Sequence, residues 1–134
     1  MNFALGTRRI GEVALLVREC DDAIAWFTQK LDFVLIADDP LPNGERRVTV
    51  APGNGQTAIR LARAENAEQA AQIGKQAKGR VLFYLHTQDF ARDHATFLER
   101  GVYFIEEPRQ EVYGTVAVFE DLYGNRWDLI QYRA

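Results

Sequence analysis

The sequence predicts an α+β fold: two tandem βαβββ modules that form a cup-shaped, partly open β-sheet, with the helices outside. Two observations support this prediction. The order of strand, helix and three strands can be read twice along the 134 residues. The halves also repeat at a constant spacing, because residues 47–50 match residues 115–118 and residues 59–61 match residues 127–129. A repeat of this length is too long for a solenoid unit, so it indicates two similar modules packed as a pair.

The first module, residues 1–63, is predicted from alternation, helical spacing and turn residues. Apolar residues at every second position from Val13 to Val17 are typical of a strand. Asp21 and Asp22 offer an N-cap to a helix whose apolar residues recur at helical spacing. The predicted elements are a strand at 10–18, a helix to about residue 30, strands at 33–37, 47–50 and 57–62, a turn-rich loop at 40–44 and a hairpin turn at 53–55.

A connector, residues 64–79, separates the modules. It is rich in Ala, Gln, Glu and Lys, which predicts a short exposed helix or a mobile segment ended by Gly79. The second module, residues 80–134, then repeats the order of the first. Its predicted elements are a strand at 81–86, a helix between Asp89 and Gly101, and strands at 102–105, 114–120 and 126–132, with residues 107–109 as a break. All 134 residues together are predicted to form one domain.

Composition excludes several classes of function. The net charge is −3 and the basic residues are scattered, which argues against nucleic acid as a partner. The longest apolar run near the start, residues 13–17, is too short to span a membrane, and the N-terminus lacks the layout of a signal peptide. Cys20 is the only cysteine, so a reducing compartment is expected. The predicted location is the cytoplasm, and the predicted partner is a small molecule.

Alternation along the strands selects the side chains that should face the cup. The repeat gives four equivalent places: Glu12, Arg60, the 80–82 window and Asp128. An antiparallel sheet with a helix on one face leaves its other face free, and a cup is where a ligand is expected. The predicted ligand-binding residues are Glu12, Arg60, Tyr84, His86, Tyr113 and Asp128, with no catalytic residue assigned.

The twofold βαβββ order resembles the vicinal oxygen chelate superfamily, which includes glyoxalases, bleomycin-resistance proteins and extradiol dioxygenases. Residues 12–18, 27–33 and 121–128 carry this resemblance, which covers nearly the whole chain. The resemblance implies the paired-module fold. It does not imply one activity, because such folds support many functions.

In metal-using members of that superfamily, four inward side chains hold a divalent ion. The resemblance places Glu12 at one of these positions and Asp128 at another, where a glutamate is usual. Arg60 occupies a third position and cannot bind a cation, and the 80–82 window offers no ligand. His86 could complete a site only if its strand had a different register. The sequence therefore predicts no certain cofactor, with Ni, Zn, Mn or Fe on Glu12 and Asp128 as the open alternative.

The sequence is compatible with three functions. The first is a metal-free binding protein of the bleomycin-resistance type, in which Arg60 receives an anionic group and Trp127 and the tyrosines form walls. The second is a metal-dependent lyase or dioxygenase of the glyoxalase type, with a carboxylate as base. The third is a scaffold that forms a homodimer through an open sheet edge or through the helix that carries His94.

Overall fold

The structure, a computed structural model, describes residues 6–134, which divide into two compact units before and after the junction of Arg63 and Ala64. Among these residues, no helix combines the length and apolar character that crossing a membrane requires. The first unit contains β1 (Glu12–Val17), α1 (Cys20–Leu31), β2 (Val34–Pro40), β3 (Arg46–Ala51) and β4 (Ala58–Arg63). The second contains α2 (Ala67–Ala70), β5 (Val81–His86), α3 (Phe90–Glu99), β6 (Tyr103–Phe104), β7 (Arg109–Glu111), β8 (Gly114–Glu120) and β9 (Arg126–Tyr132).

The first unit is a four-stranded sheet with a helix on one face. The strand order is β1-β4-β3-β2, with β1 parallel to β4 and the other pairs antiparallel. Helix α1 packs Phe27 into the core, where Leu15 and Leu61 of the sheet are also buried. Burying each of these side chains contributes roughly 1.5–3 kcal/mol. The face that carries Glu12 and Arg60 is left on the other side of the sheet, since side chains alternate along each strand.

The start of α1 differs from the prediction. The helix begins at Cys20, with Glu19 as an N-cap that makes no side-chain hydrogen bond. Asp21 and Asp22 therefore lie in the first turn rather than before it, where their charges favour the positive end of the helix dipole. The strand after α1 was predicted at residues 33–37 but continues to Pro40. This strand is at the edge of the sheet, where the missing N–H of a proline is tolerated.

The second unit repeats this plan in a five-stranded sheet. Its path is β5-β9-β8-β6, with β7 paired to β8, and β5 is parallel to β9. Asp89 caps α3 as predicted, because its Oδ1 accepts a hydrogen bond from the Arg92 backbone N–H at 3.1 Å. Strand β7 was not predicted, since Pro108 marks a break and only three residues follow in the strand. The predicted α+β class and the twofold βαβββ order are thus confirmed.

Residues 64–79 form an ordered part of the second unit. Asn66 caps α2 by accepting a hydrogen bond from the Gln69 N–H at 2.8 Å, and Ile73 is buried. Gly74 packs so closely that an added Cβ would lie 2.2 Å from the Tyr123 carbonyl oxygen. The short exposed helix is confirmed, and the segment packs against Tyr123 of the β8–β9 turn.

The β8–β9 turn fixes the start of the strand that carries Asp128. Asp121 accepts hydrogen bonds from the backbone N–H groups of Tyr123 (2.9 Å) and Asn125 (3.1 Å). Its Oδ2 accepts a further one from Trp127 Nε1 at 3.1 Å. Gly124 supplies the positive φ of 87° that the turn requires. Burial raises the pKa of the Asp121 carboxyl, although these donors act in the opposite direction.

Candidate functional site

A charged cluster lies on the sheet face of the first unit that is turned away from α1. In the strand register, Arg60 stands beside Ala14 of β1 and Thr49 of β3, so its side chain shares a face with Glu12. Glu12 Oε1 accepts a hydrogen bond from Arg60 Nη1 at 3.5 Å, and its Oε2 accepts one from Arg47 Nη2. The structure therefore brings Glu12 and Arg60 together and adds a second arginine.

The cluster has an excess of positive charge and is partly open to solvent. Two guanidinium groups share one carboxylate, so the cluster carries one net positive charge. The exposed fractions of the side chains are 38% for Arg47, 37% for Arg60 and 29% for Glu12. The ion pairs are thus half-buried. They keep enough contact with water to limit the desolvation penalty of the charged groups.

A cavity of about 230 Å³ adjoins this cluster. Its lining includes Glu12, Arg47 and Thr49 and another cation, Arg9, whereas Arg60 is not a lining residue and reaches the cavity only through its ion pair with Glu12. Sequence reasoning missed Arg47, although the alternation of β3 would have found it, because Arg47 is two residues before Thr49 and so lies on the same face. The arrangement offers charged donors beside a space large enough for a small organic group.

Asp128 lies on the sheet face of the second unit that is turned away from α3. It is paired in register with Tyr84 of β5 and Val118 of β8. Its Oδ1 is buried and has no hydrogen-bond partner among residues 6–134. Burial raises the pKa of the Asp128 carboxyl, the charge of Arg109 lowers it, and that of Glu106 raises it. A buried acceptor without a donor is uncommon, so this oxygen is an exception among the buried polar groups of the described residues.

Arg109 is the cation whose charge lowers the pKa of the Asp128 carboxyl, but two other acids already engage it. Its Nε lies 3.0 Å from both carboxylate oxygens of Glu106, and its Nη1 lies 3.3 Å from Glu111. Glu106 also accepts a hydrogen bond from the Val118 N–H at 3.1 Å. The sequence predicts a strand break at residues 107–109, and alternation along the neighbouring strands does not reveal that Glu106 and Arg109 affect the pKa of Asp128.

Aromatic side chains form a second feature of the same unit. The His86 ring lies 5.0 Å from that of Tyr132, and the Tyr113 ring lies 6.0 Å from it (centroid distances). The exposed fractions are 60% for Tyr84, 51% for Tyr132 and 41% for Tyr113. Tyr132 was not predicted, yet it lies four residues beyond Asp128 in β9 and so has the same parity.

The pairing of β5 with β9 has an irregularity between Val81 and Phe83, and Tyr84 and His86 lie beyond it. One expectation about this face needs correction. Trp127 is not a wall of a ligand site. It points to the helix side, because it alternates with Asp128, and it is packed against Phe119 in the core.

Comparison with known proteins identifies the family. The family model for the glyoxalase/bleomycin resistance protein/dioxygenase superfamily matches residues 9–129. This chain belongs to that superfamily. An uncharacterized protein of Shewanella frigidimarina (strain NCIMB 400) is 45% identical over 124 residues, which cover 91% of this chain and 92% of that protein. The resemblance seen in the sequence is confirmed.

Solved structures of superfamily proteins share the fold. UcmS2 is 28% identical with a TM-score of 0.80, and the match covers 92% of this chain and 97% of that one. TnmS3, an antibiotic binding protein from Streptomyces sp. CB03234, is 26% identical with a TM-score of 0.79, and the match covers 96% of this chain and 98% of that one. These proteins are similar to this chain over nearly its full length.

The metal that some members of the superfamily use does not fit the donors of this chain. Glu12 divides its two oxygens between two guanidinium groups, and Arg60 places a cation at a ligand position. Within the described part of the chain, no three His, Cys, Asp or Glu side chains converge as a group suited to a metal ion. The chemistry of the donors around Glu12 favours an anion over a divalent cation.

Proposed function

We propose that this protein is a small-molecule binding protein of the glyoxalase/bleomycin-resistance type, which takes a ligand with an anionic group and does not use a metal. The observation that carries the proposal is the cluster of Glu12, Arg47 and Arg60, which has one net positive charge and adjoins a cavity of about 230 Å³. The binding site is the face of the first unit that is turned away from α1.

The chemistry of arginine supports an anion at this place. Each guanidinium has five N–H donors in a planar fork, and Glu12 engages Nη2 of Arg47 and Nη1 of Arg60. The remaining donors can receive a carboxylate or a phosphate in the paired geometry that arginine favours. Glu12 holds both side chains in place, which lowers the entropy lost when the ligand binds.

The relatives support a small organic ligand. TnmS3 is an antibiotic binding protein, and it matches 96% of this chain with a TM-score of 0.79. The residues of this chain favour an acid, which the arginines would receive, and Ile36 and Ala58 in the lining of the cavity offer apolar contacts to the rest of a small ligand.

A thermal-shift comparison of acids with their neutral counterparts tests this function. The probes are 1-naphthoate with 1-naphthamide, and phenylpyruvate with its methyl ester. At least one acid is expected to raise the melting temperature, because a ligand that binds only the folded chain stabilises it, while its neutral counterpart is expected to have little effect. Equal shifts within each pair, or no shift from either acid, would contradict the proposal.

One observation favours the enzymatic alternative. The carboxyl of Asp128 has a raised pKa and a buried, unpartnered oxygen within the described residues, which are properties of a general base. A lyase or dioxygenase of the glyoxalase type would also require a divalent ion, for which the donors around Glu12 are poorly suited. Metal content separates the two functions, because only the enzymatic alternative requires a divalent ion.

A homodimer in the cytoplasm remains part of the proposal. Strand β2 is at the edge of its sheet and exposes three consecutive apolar side chains, Val34, Leu35 and Ile36, which is a surface that commonly pairs with another chain. Light scattering is expected to show a dimer that Leu35→Asp dissociates. Val112→Asp, at a hairpin tip, is the matched control and should leave the dimer intact. A monomeric wild-type chain would exclude this assembly.

A further inference from the structure

We propose that the second unit binds a small ammonium compound with an apolar body in a cavity of about 330 Å³, between α3 and the chain that follows β6. Two short stretches line this cavity, one turn of α3 and residues 104–107. The lining side chains are those of His94, Leu98, Phe104, Ile105, Glu106 and Glu107. The carboxylate of Glu107 receives the ammonium group, and the apolar side chains contact the rest of the ligand. This site uses other residues than the anion site and does not depend on it.

The cavity lies where α3 meets the sheet of the second unit. His94 and Leu98 are four residues apart in α3, so they share one face of the helix. Phe104 is paired in register with the buried Phe119, and their ring centroids are 5.5 Å apart. Phe119 packs beneath α3, where its ring contacts that of Phe97. The aromatic wall of the cavity is therefore on the helix side of the sheet, apart from the two sheet faces described above.

The His94 ring is fixed at the wall of this cavity. It is stacked on the Phe90 ring, with centroids 5.4 Å apart and 13° between the planes. It also meets the Phe104 ring edge to face, at 4.5 Å and 62°. These contacts hold the plane of the imidazole, whose nitrogens have no hydrogen-bond partner within residues 6–134. A nitrogen of the neutral ring can therefore accept a hydrogen bond from a ligand without a prior rearrangement.

The two glutamates of the lining differ in their partners. Glu106 is engaged, because Arg109 Nε lies 3.0 Å from both of its carboxylate oxygens and the Val118 N–H donates to it at 3.1 Å. The charge of Arg109 is also shared with Glu111. Glu107 is exposed and has no ion pair within the described residues. Its uncompensated carboxylate favours a cation over an acid at this edge of the cavity.

The remaining lining is apolar and partly open to solvent. Leu98 is 50% exposed, and Phe104 and Ile105 are half-buried. A ligand that covers these side chains removes apolar surface from water, which favours binding. Small-molecule sites have volumes of roughly 300–1,000 Å³. The cavity is at the lower end of this range, so it suits one aromatic ring with a short side chain.

Proton NMR with 2-phenylethylamine tests the site, with 2-phenylethanol as its neutral counterpart. The chain has two histidines, so the Cε1–H signals of their rings report on two separate places, and His94→Gln assigns them. The amine is expected to shift the His94 signal saturably, because the ring of the ligand lies beside the imidazole. The signal of His86, at the end of β5, should stay unchanged. The alcohol should bind about tenfold more weakly than the amine, since it lacks the charge that Glu107 receives.

Paired variants separate the two parts of the site. Glu107→Gln is expected to weaken binding of the amine by about tenfold. Glu99→Gln removes the same charge from an exposed position outside the lining, so it should bind like the wild type. Leu98→Asn should also weaken binding, because it removes apolar contact. Tyr103→Asn changes an exposed side chain outside the lining and is expected to have no effect.

Melting curves verify that each variant is folded. Equal affinities of Glu107→Gln and Glu99→Gln, equal affinities of Leu98→Asn and Tyr103→Asn, or a His94 signal that does not respond to the amine would overturn the proposal. So would a dimer that Leu98→Asn dissociates, because a second copy of the chain would then cover the cavity. The amine carries no acid, so these outcomes would leave the anion site intact.

Discussion

Glu12 and Arg60 are 48 positions apart in the chain, yet Glu12 Oε1 accepts a hydrogen bond from Arg60 Nη1 at 3.5 Å across strands β1 and β4. Arg47 binds the other oxygen of the same carboxylate. The resemblance to metal-using relatives would assign Glu12 to a divalent ion. In this chain two arginines already neutralise it, and this relationship separates the proposed binding protein from the metal-dependent alternative.

Metal content is therefore expected to be far below one ion per chain. Protein purified without a chelator or a histidine tag should contain no stoichiometric Ni, Zn, Mn or Fe by mass spectrometry, because the arginines oppose a cation at Glu12. One ion per chain, lost in Glu12→Ala or in Asp128→Ala, would contradict this expectation. It would support the enzymatic alternative and implicate His86.

The docked segment before β5 gives a prediction about stability. Gly74→Ala would place a Cβ 2.2 Å from the Tyr123 carbonyl oxygen, whereas Gly79→Ala meets nothing within 4 Å. Both glycines have positive φ angles, 80° and 86°, so the backbone strain is similar in the two variants. Denaturant unfolding should show Gly74→Ala to be less stable than Gly79→Ala by about 1–3 kcal/mol. Equal stabilities would mean that this segment is not docked.

The hydrogen bonds of Asp121 give another prediction about stability. Asp121→Ala would leave buried donors of Trp127 and Asn125 without an acceptor, which should lower the free energy of unfolding by about 2–4 kcal/mol. Asp89→Ala removes a solvent-exposed helix cap and is expected to cost only about 1 kcal/mol. A loss at Asp121 no larger than that at Asp89 would refute this role of the turn.

A further prediction concerns the dependence of the free energy of unfolding on pH. Burial raises the pKa of Asp128 above its ordinary 3.8, so the folded chain holds this proton more tightly than the unfolded chain. The free energy of unfolding should therefore fall as pH rises from 3.8 through the raised pKa. Asp128→Asn lacks this dependence, so the wild type should gain stability relative to the variant as pH falls from neutral. If denaturant titrations give parallel profiles of the free energy of unfolding against pH for the wild type and Asp128→Asn, this prediction is wrong. Asp39→Asn, at an exposed position, serves as the control.

The sequence predicted most of the fold because its local signals were strong. Strands β5, β8 and β9 have their predicted bounds, since alternation and turn residues mark both ends. The start of α1 was placed two or three residues too late, because acidic residues are favoured both at the N-cap and in the first turn. These errors moved no residue of the candidate site to another face.

The site was harder to predict, because its properties depend on contacts between distant strands. Arg47 had the right parity but no counterpart among the positions that the resemblance singled out. The engagement of Arg109 by Glu106 depends on how the chain turns after β6. The buried, unpartnered oxygen of Asp128 results from packing around it, which alternation along β9 does not specify.

The affinity of an anionic ligand for Arg60 variants tests the central claim most directly. By isothermal titration with 1-naphthoate, Arg60→Ala is expected to bind about tenfold or more weakly than the wild type, because it loses a charged donor and leaves the cluster neutral. Arg63→Ala removes an arginine from the same strand that pairs with Glu19 instead, and it should bind like the wild type. Equal affinities of the two variants would contradict the assignment of the Glu12, Arg47 and Arg60 cluster as the anion site.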